Sequence, residues 1–80
     1  MITEVKLPQL SMGVVECQVS RWLVAVGETV QQGQLLVEID TDKTLAELEA
    51  PESGVLLEIR HSAGAVVAVG QTLALIRSPA

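Results

Sequence analysis

The sequence lacks phenylalanine and tyrosine, and Trp22 is its only aromatic residue. It also contains a single cysteine, Cys17, so no disulfide can form within the chain. The 80 residues are enough for one domain. Valine, leucine and isoleucine make up 27 of them. Because branched side chains pack well on pleated surfaces, this composition favours a core of thin packed sheets over a wide ligand cavity.

Basic residues are scarce. Five lysines and arginines stand against ten acidic residues, which gives a formal net charge of −5. Nucleic-acid binding needs a basic face, so this charge balance argues against a nucleic-acid-binding protein. No apolar run approaches the ~20 residues that span a bilayer, the N-terminus lacks the features of a secretory signal, and no residue spacing matches a metal site. We therefore expect no nucleic-acid, membrane or metal partner.

An internal repeat relates two parts of the chain. Displacing the sequence by 37 positions aligns GETVQQGQLLVEI, residues 27–39, with GAVVAVGQTLALI, residues 64–76. Six identities fall in register, and three of them are glycines or glutamines at expected turns. The repeat predicts a pseudo-twofold arrangement in which each half completes the core of the other.

Short alternating segments separated by turn residues predict an all-β fold. The predicted strands are residues 2–7, 16–24, 34–40, 44–49, 54–60 and 71–77. No segment keeps a helical period, so we expect almost no helix. Together with the repeat, this pattern predicts a flattened β-barrel or sandwich of two antiparallel, about four-stranded sheets with internal pseudo-twofold symmetry.

The pair Asp42-Lys43 lies at the midpoint of the repeat, between two predicted strands. This position is the expected tip of a hairpin, and an aspartate suits such a turn because its carboxylate accepts bonds from nearby backbone N–H groups. Lys43 is one of only two lysines, the other being Lys6. Alone, the pair is typical of a solvated turn; its central place in a duplicated β domain favours a functional role.

The stretch DTDKTLAELEAPESGVL, residues 40–56, resembles the lipoylation region of lipoyl domains. These domains are the carrier modules of the dihydrolipoamide acyltransferase component of 2-oxo acid or acetoin dehydrogenase complexes, within the biotinyl/lipoyl carrier family. KLPQLSMGVVE, residues 6–16, is similar to the opening strand and loop of the family, and the resemblance extends from about Val5 to Ile76. It implies a carrier domain over residues 1–77, with residues 78–80 as the start of a flexible linker.

By this resemblance, Lys43 carries lipoic acid in amide linkage through its ε-amine, and Asp42 is the neighbour that the modifying enzyme recognises. The loop after the first strand is implied to meet a decarboxylase. The acidic residues on the strand after Lys43 fit partner recognition and a solvated surface equally. The candidate recognition residues are Leu10, Ser11, Met12, Gly13, Glu47 and Glu49.

The resemblance also implies the partners. A lipoate ligase or a lipoyl synthase system would install the group. The arm would then serve a thiamine diphosphate-dependent decarboxylase, an acyltransferase catalytic domain and a dihydrolipoyl dehydrogenase. The domain itself would be no enzyme but part of a dihydrolipoamide acyltransferase. The expected location is the bacterial cytoplasm, with the mitochondrial matrix as the alternative.

Two other functions remain open. A biotin carrier of a carboxylase shares this fold and uses a turn lysine, but such carriers typically bracket the lysine with methionines. Here Asp42 and Thr44 flank Lys43, and both methionines are far away in the sequence. An unmodified structural barrel-sandwich module is the second alternative; it should lack the Asp-Lys tip or carry long insertions there.

The chain departs from lipoyl domains at two turns, Ala25-Val26 and residues 63–65, where the family tends to place charged residues. We expect both turns to lie at the end of the domain away from Lys43 and to make that end unusually apolar.

Overall fold

A computed structural model describes residues 1–10, 12–41 and 44–78. The strands in these ranges are β1 (Ile2–Lys6), β2 (Glu16–Trp22), β3 (Thr29–Val30), β4 (Leu35–Asp40), β5 (Leu45–Glu49), β6 (Gly54–Ile59), β7 (Val66–Ala68) and β8 (Thr72–Arg77). The six predicted strands are confirmed to within two residues at each end. The alternation pattern misses β3 and β7, because two or three residues are too few to show a period. Over the same ranges there is no helix with the length and apolarity needed to cross a membrane.

The strands form two four-stranded sheets with the orders β1-β8-β6-β3 and β5-β4-β2-β7. If strands β1, β2, β3 and β4 are exchanged with β5, β6, β7 and β8 respectively, one strand order becomes the other. The irregularities repeat as well: the pairing register shifts between Val19 and Arg21 in β2 and, 37 positions later, between Leu56 and Glu58 in β6. The predicted all-β sandwich with pseudo-twofold symmetry is therefore confirmed.

The two sheets enclose one core of aliphatic side chains. Cys17 and Val19 are buried on the inner face of β2, whereas Gln18 between them is exposed. The largest fully buried side chains are Leu7, Val19, Val30, Leu36, Val37, Ile39, Leu56, Val67, Leu73 and Ile76. Each such side chain contributes about 1.5–3 kcal/mol through its burial. Several of these residues are partners in the repeat, so the apolar identities seen in the sequence are core positions.

The repeated glutamines close two equivalent turns. The backbone N–H of Gln31 donates to Oε1 of Gln34 at 3.0 Å, and the N–H of Ala68 donates to Oε1 of Gln71 at 2.9 Å. The glycine before each glutamine has a positive φ, 88° in one turn and 93° in the other. The Gly-Gln identity therefore reflects a turn that needs both a left-handed residue and a side-chain acceptor.

The topology sets what lies at each end of the sandwich, which measures 36 × 19 × 19 Å. β4 runs towards the β4–β5 hairpin, and β2 begins there, because Gln18 pairs with Asp40. In the other sheet, β1 begins where β8 ends, with Ile2 opposite Arg77. Residues 31–34 run from the end with the Ile2–Arg77 pair to the start of β4. The start of β4 is the part of this strand that lies farthest from the hairpin. The hairpin and the Ile2–Arg77 pair therefore lie at opposite ends.

The two apolar turns do not lie together. The N–H of Gly27 donates to the carbonyl of Leu56, and the N–H of Gly64 donates to the carbonyl of Val19, both at 2.8 Å. The pseudo-twofold relates these bonds and exchanges the two ends of the sandwich. Both turns therefore cannot share the end away from the hairpin, and the prediction of a single apolar end is wrong. The prediction places the two turns side by side, whereas the pseudo-twofold separates them.

Candidate functional site

The β4–β5 hairpin contains the predicted attachment position. Its strands pair antiparallel, and beyond the last strand residues the N–H of Thr41 donates to the carbonyl of Thr44 at 2.9 Å. Positions 42 and 43 join these two threonines in the chain. The predictions for Asp42 and Lys43 themselves lie outside the described residues. The structure therefore establishes the hairpin on both sides of the pair.

The side chain of Thr41 bonds the two strands a second time. Its Oγ1 donates to the carbonyl oxygen of Thr44 at 2.8 Å and accepts from the N–H of Thr44 at 3.1 Å. Because that donation uses the only hydroxyl proton of Thr41, the 3.2 Å contact between the two Oγ1 atoms is a bond that Thr44 donates. Sequence analysis missed this arrangement. Its trace in the sequence is a hydroxyl residue on each side of Asp-Lys.

The flanks of the hairpin tip are open to solvent. Asp40, Thr44 and Leu45 are exposed, and Leu45 is 53% exposed although it is apolar. A covalently attached arm needs a root that solvent and partner enzymes can reach and that the fold holds still. Exposed flanks joined by several hydrogen bonds meet both needs, so the residues present fit a group attached at position 43.

The predicted partner loop lies at the hairpin end of the sandwich. It connects β1 to β2, and β2 begins beside the last residues of β4. Met12 is 99% exposed, whereas Leu10 packs against the core. Gly13 has a φ of 83°, which favours glycine. Ser11 lies outside the described residues. The loop and the hairpin thus share one end of the sandwich.

Glu47 and Glu49 lie on the outer face of β5 and are exposed. Glu47 is directly opposite Glu38 on β4. The carboxylate of Glu38 accepts a bond from Nε of Arg21 at 2.9 Å, so a cation stands on one side of Glu38 and a second carboxylate on the other. The charges form a row across the outer face of the sheet.

The negative charge of the domain is concentrated on this sheet. Its strands carry five acidic residues and one arginine, a formal charge of −4. The strands of the other sheet carry two acidic and two basic residues, a formal charge of zero. The acidic face therefore belongs to the sheet that contains the hairpin.

The described ranges contain no arrangement of side chains that would hold a metal ion. No group of three or more histidine, cysteine, aspartate or glutamate side chains is arranged there to hold a metal ion. An open groove lined by Gln31, Ser53 and Arg77 lies beside Ser78, at the end away from the hairpin. The hairpin end, with its loop and acidic face, is therefore the candidate functional site.

The fold and this site define a class of protein. A small, duplicated sandwich fills its interior with aliphatic side chains and displays a short hairpin at one end. Such a domain presents a group to other proteins and leaves the chemistry to that group and to its partners.

Comparison with known proteins identifies the family. The Biotin_lipoyl family model, described as biotin-requiring enzyme, matches residues 3–76. The dihydrolipoyllysine-residue succinyltransferase component of the 2-oxoglutarate dehydrogenase complex of Staphylococcus saprophyticus is 40% identical over 73 residues, which cover 91% of this chain and 17% of that protein. The chain belongs to the biotin/lipoyl family. It corresponds to a small part of the curated relatives that it matches.

Solved structures agree with this assignment. The solution structure of the lipoyl domain of the 2-oxoglutarate dehydrogenase complex of Azotobacter vinelandii has a TM-score of 0.78 at 31% identity, over 94% of this chain and 95% of that chain. Urea carboxylase of Kluyveromyces lactis has a TM-score of 0.82 at 23% identity, over 96% of this chain and 6% of that chain, which shows a shared fold. The resemblance to lipoyl domains is confirmed, and the chain is a carrier domain that is not itself an enzyme.

Proposed function

We propose that the chain is a lipoyl carrier with lipoic acid attached to Lys43. The observation that supports this most directly is the β4–β5 hairpin, which Thr41 and Thr44 close on both sides of the Asp-Lys pair. The relative from Staphylococcus saprophyticus is named for a dihydrolipoyllysine residue, which favours lipoate over biotin. When attached, the lipoyl group supplies a disulfide that carries acyl groups and reducing equivalents.

Attachment requires one nucleophile from this chain, the ε-amine of Lys43. A lysine suits this role because its amine sits on a flexible four-carbon stem. In the attachment step, the neutral amine displaces AMP from the activated lipoyl carboxyl group that a lipoate ligase makes from lipoate and ATP. A C–N bond forms, a C–O bond breaks and the amine releases one proton. We assign Asp42 to recognition by the modifying enzyme, which is a ligase or a lipoyl synthase system.

The sandwich separates the attachment end from the end at which a longer protein would continue. The N–H of Ser78 donates to the carbonyl of Met1 at 2.8 Å, at the end away from the hairpin. A linker joined there would leave the hairpin free to enter partner active sites, and tethering would raise its effective concentration to about millimolar. Ser78 itself is 8% exposed, and the predicted linker residues 79 and 80 lie outside the described ranges.

The proposed partners follow from this role. They are a thiamine diphosphate-dependent decarboxylase, an acyltransferase catalytic domain and a dihydrolipoyl dehydrogenase, in a 2-oxo acid dehydrogenase complex. The relative from Staphylococcus saprophyticus is a component of such a complex. We also propose the bacterial cytoplasm as the location, with the mitochondrial matrix as the alternative.

Reductive acylation tests the proposed function. The lipoylated chain is incubated with a 2-oxo acid and its decarboxylase, and its intact mass is recorded, with the 2-oxoglutarate, pyruvate and branched-chain enzymes assayed in parallel. We expect at least one enzyme to add its acyl group to the lipoylated protein and none to modify the unlipoylated protein. If a characterised lipoyl domain is acylated in every reaction and this chain in none, the acyl-carrier role is wrong.

Charge reversal at Glu47 or Glu49 is expected to slow reductive acylation about fivefold at low ionic strength, as reversal of a charge at an interface rim does. The physical reason is the acidic outer face beside the hairpin, which would attract a basic surface around the decarboxylase active site. The measurement is the initial acylation rate of Glu47→Lys and Glu49→Lys at two salt concentrations.

Glu28→Lys is the matched control for this prediction. It makes the same change in net charge at an exposed position between β2 and β3, outside the acidic face. We expect its acylation rate to match that of the wild type. Equal rates for all three variants would show that the acidic face is only a solvated surface.

A further inference from the structure

The bonds at the base of the hairpin are repeated at the opposite end of the sandwich. The N–H of Thr41 donates to the carbonyl of Thr44 at 2.9 Å, and its Oγ1 donates to the same oxygen at 2.8 Å. At the other end, the N–H and Oγ of Ser78 donate to the carbonyl of Met1, at 2.8 Å and 3.2 Å. The pseudo-twofold thus provides two copies of one arrangement, and in one copy the two bonded residues flank the Asp-Lys pair in the sequence.

The hydroxyl of Thr41 has a further bond within the hairpin. In a two-residue loop, the N–H of the last turn residue ordinarily donates to the carbonyl of the first. Here the N–H of Thr44 donates to Oγ1 of Thr41 instead, at 3.1 Å. A side chain therefore closes the loop that contains positions 42 and 43. With one bond donated and two accepted, the hydroxyl uses its full bonding capacity.

We propose that Thr41 is a positioning residue for the modification of Lys43. Its hydroxyl bonds Thr41 to Thr44, the two described residues that flank positions 42 and 43 in the chain. The inference rests on the proposed lipoyl attachment. A modifying enzyme binds only the hairpin conformations that bring the lysine amine to its activated carboxyl group. A loop without the closing bonds spends less time in those conformations, and its apparent affinity falls by the same fraction.

Thr41→Val removes the hydroxyl and keeps the branched shape of the side chain. We expect the KM of lipoate ligase for this variant to rise about tenfold, with kcat within about twofold of wild type, because a reduced competent fraction weakens binding and leaves the bound step unchanged. Thr41→Ser retains the hydroxyl and should restore a KM close to that of the wild type. The measurement is steady-state lipoylation of the unmodified protein at varied protein concentration.

One variant controls for general loosening of the fold. Ser78→Ala removes the pseudo-symmetric hydroxyl at the other end of the sandwich and should keep a wild-type KM. Amide hydrogen exchange of the unmodified proteins gives a second readout: the Thr44 amide should exchange faster in Thr41→Val than in the wild type, whereas amides of β8 should be unchanged.

The possible outcomes separate this inference from the proposed function. If the wild-type chain is not lipoylated, the proposed function is overturned and the inference with it. If wild type and Thr41→Val are lipoylated with the same KM, only the inference is overturned. An increase in KM for Ser78→Ala equal to that for Thr41→Val would also overturn it, because the effect would then come from overall stability. A fall in kcat at constant KM would point to contact with the reacting groups and contradict a positioning role.

Discussion

Lys43→Arg is expected to abolish lipoylation and, with it, reductive acylation. Arginine keeps the positive charge and a similar length, but its guanidinium stays protonated in proteins and does not supply a nucleophilic amine. We expect no lipoyl addition in the intact mass after incubation with lipoate, ATP and lipoate ligase, and a loss of acylation of at least about 100-fold, as for removal of a reacting nucleophile.

Lys6→Arg is the control, because Lys6 is the only other lysine in the chain. It lies on β1 and is exposed, and its Nζ is 3.8 Å from Oε2 of Glu4. This variant should be lipoylated like the wild type. Lipoylation of Lys43→Arg, or its loss in Lys6→Arg, would show that the attachment site was assigned to the wrong lysine.

Gly54→Ala is expected to produce the largest loss of stability. Gly54 begins β6, and a Cβ atom at this position would overlap the backbone carbonyl of Arg77 and approach Cγ2 of Ile76. The closest conflict involves the backbone of Arg77 in the neighbouring strand β8, which cannot rotate away as a side chain can. We expect a loss of about 3 kcal/mol in the free energy of unfolding, at the upper end for overpacking. For a domain of this size the Tm should fall by roughly 15 °C.

Gly64→Ala separates this steric effect from the general effect of replacing a glycine. Gly64 has a φ of +94°, and a Cβ there would meet nothing within 4 Å. We expect this substitution to lower the free energy of unfolding by about 1 kcal/mol, through backbone strain alone. Thermal unfolding followed by circular dichroism gives both values. A smaller loss for Gly54→Ala than for Gly64→Ala would contradict the close approach between β6 and β8.

The repeat predicts the fold because its identities have structural roles. Leu36 and Leu73 fill equivalent core positions, and Gln34 and Gln71 accept equivalent backbone bonds. Alternating residues in the long strands then place the remaining core side chains. The hairpin around the Asp-Lys pair follows from the same pattern, since strands on both sides of a short polar segment must turn back.

Features that depend on the three-dimensional arrangement of the backbone were not predictable in this way. Gly54 looks like the end of the turn that starts at Pro51, whereas its structural requirement comes from Arg77, far away in the sequence. The bonds of Thr41 depend on the geometry of the closed hairpin, and a threonine beside a turn shows no such role in the sequence. The relative position of the two apolar turns depends on how the pseudo-twofold axis is oriented in the fold. A sequence repeat indicates that such an axis exists but does not give its orientation.

Site-specific mass spectrometry of the wild-type protein tests the central claim most directly. The unmodified protein is incubated with lipoate, ATP and lipoate ligase and, in parallel, with biotin, ATP and biotin ligase, and its peptides are then sequenced. We predict a lipoyl group on Lys43, none on Lys6, and no biotin on either lysine. Biotin on Lys43 would place the chain among biotin carriers. A folded protein that neither enzyme modifies would contradict the carrier function and leave an unmodified structural module.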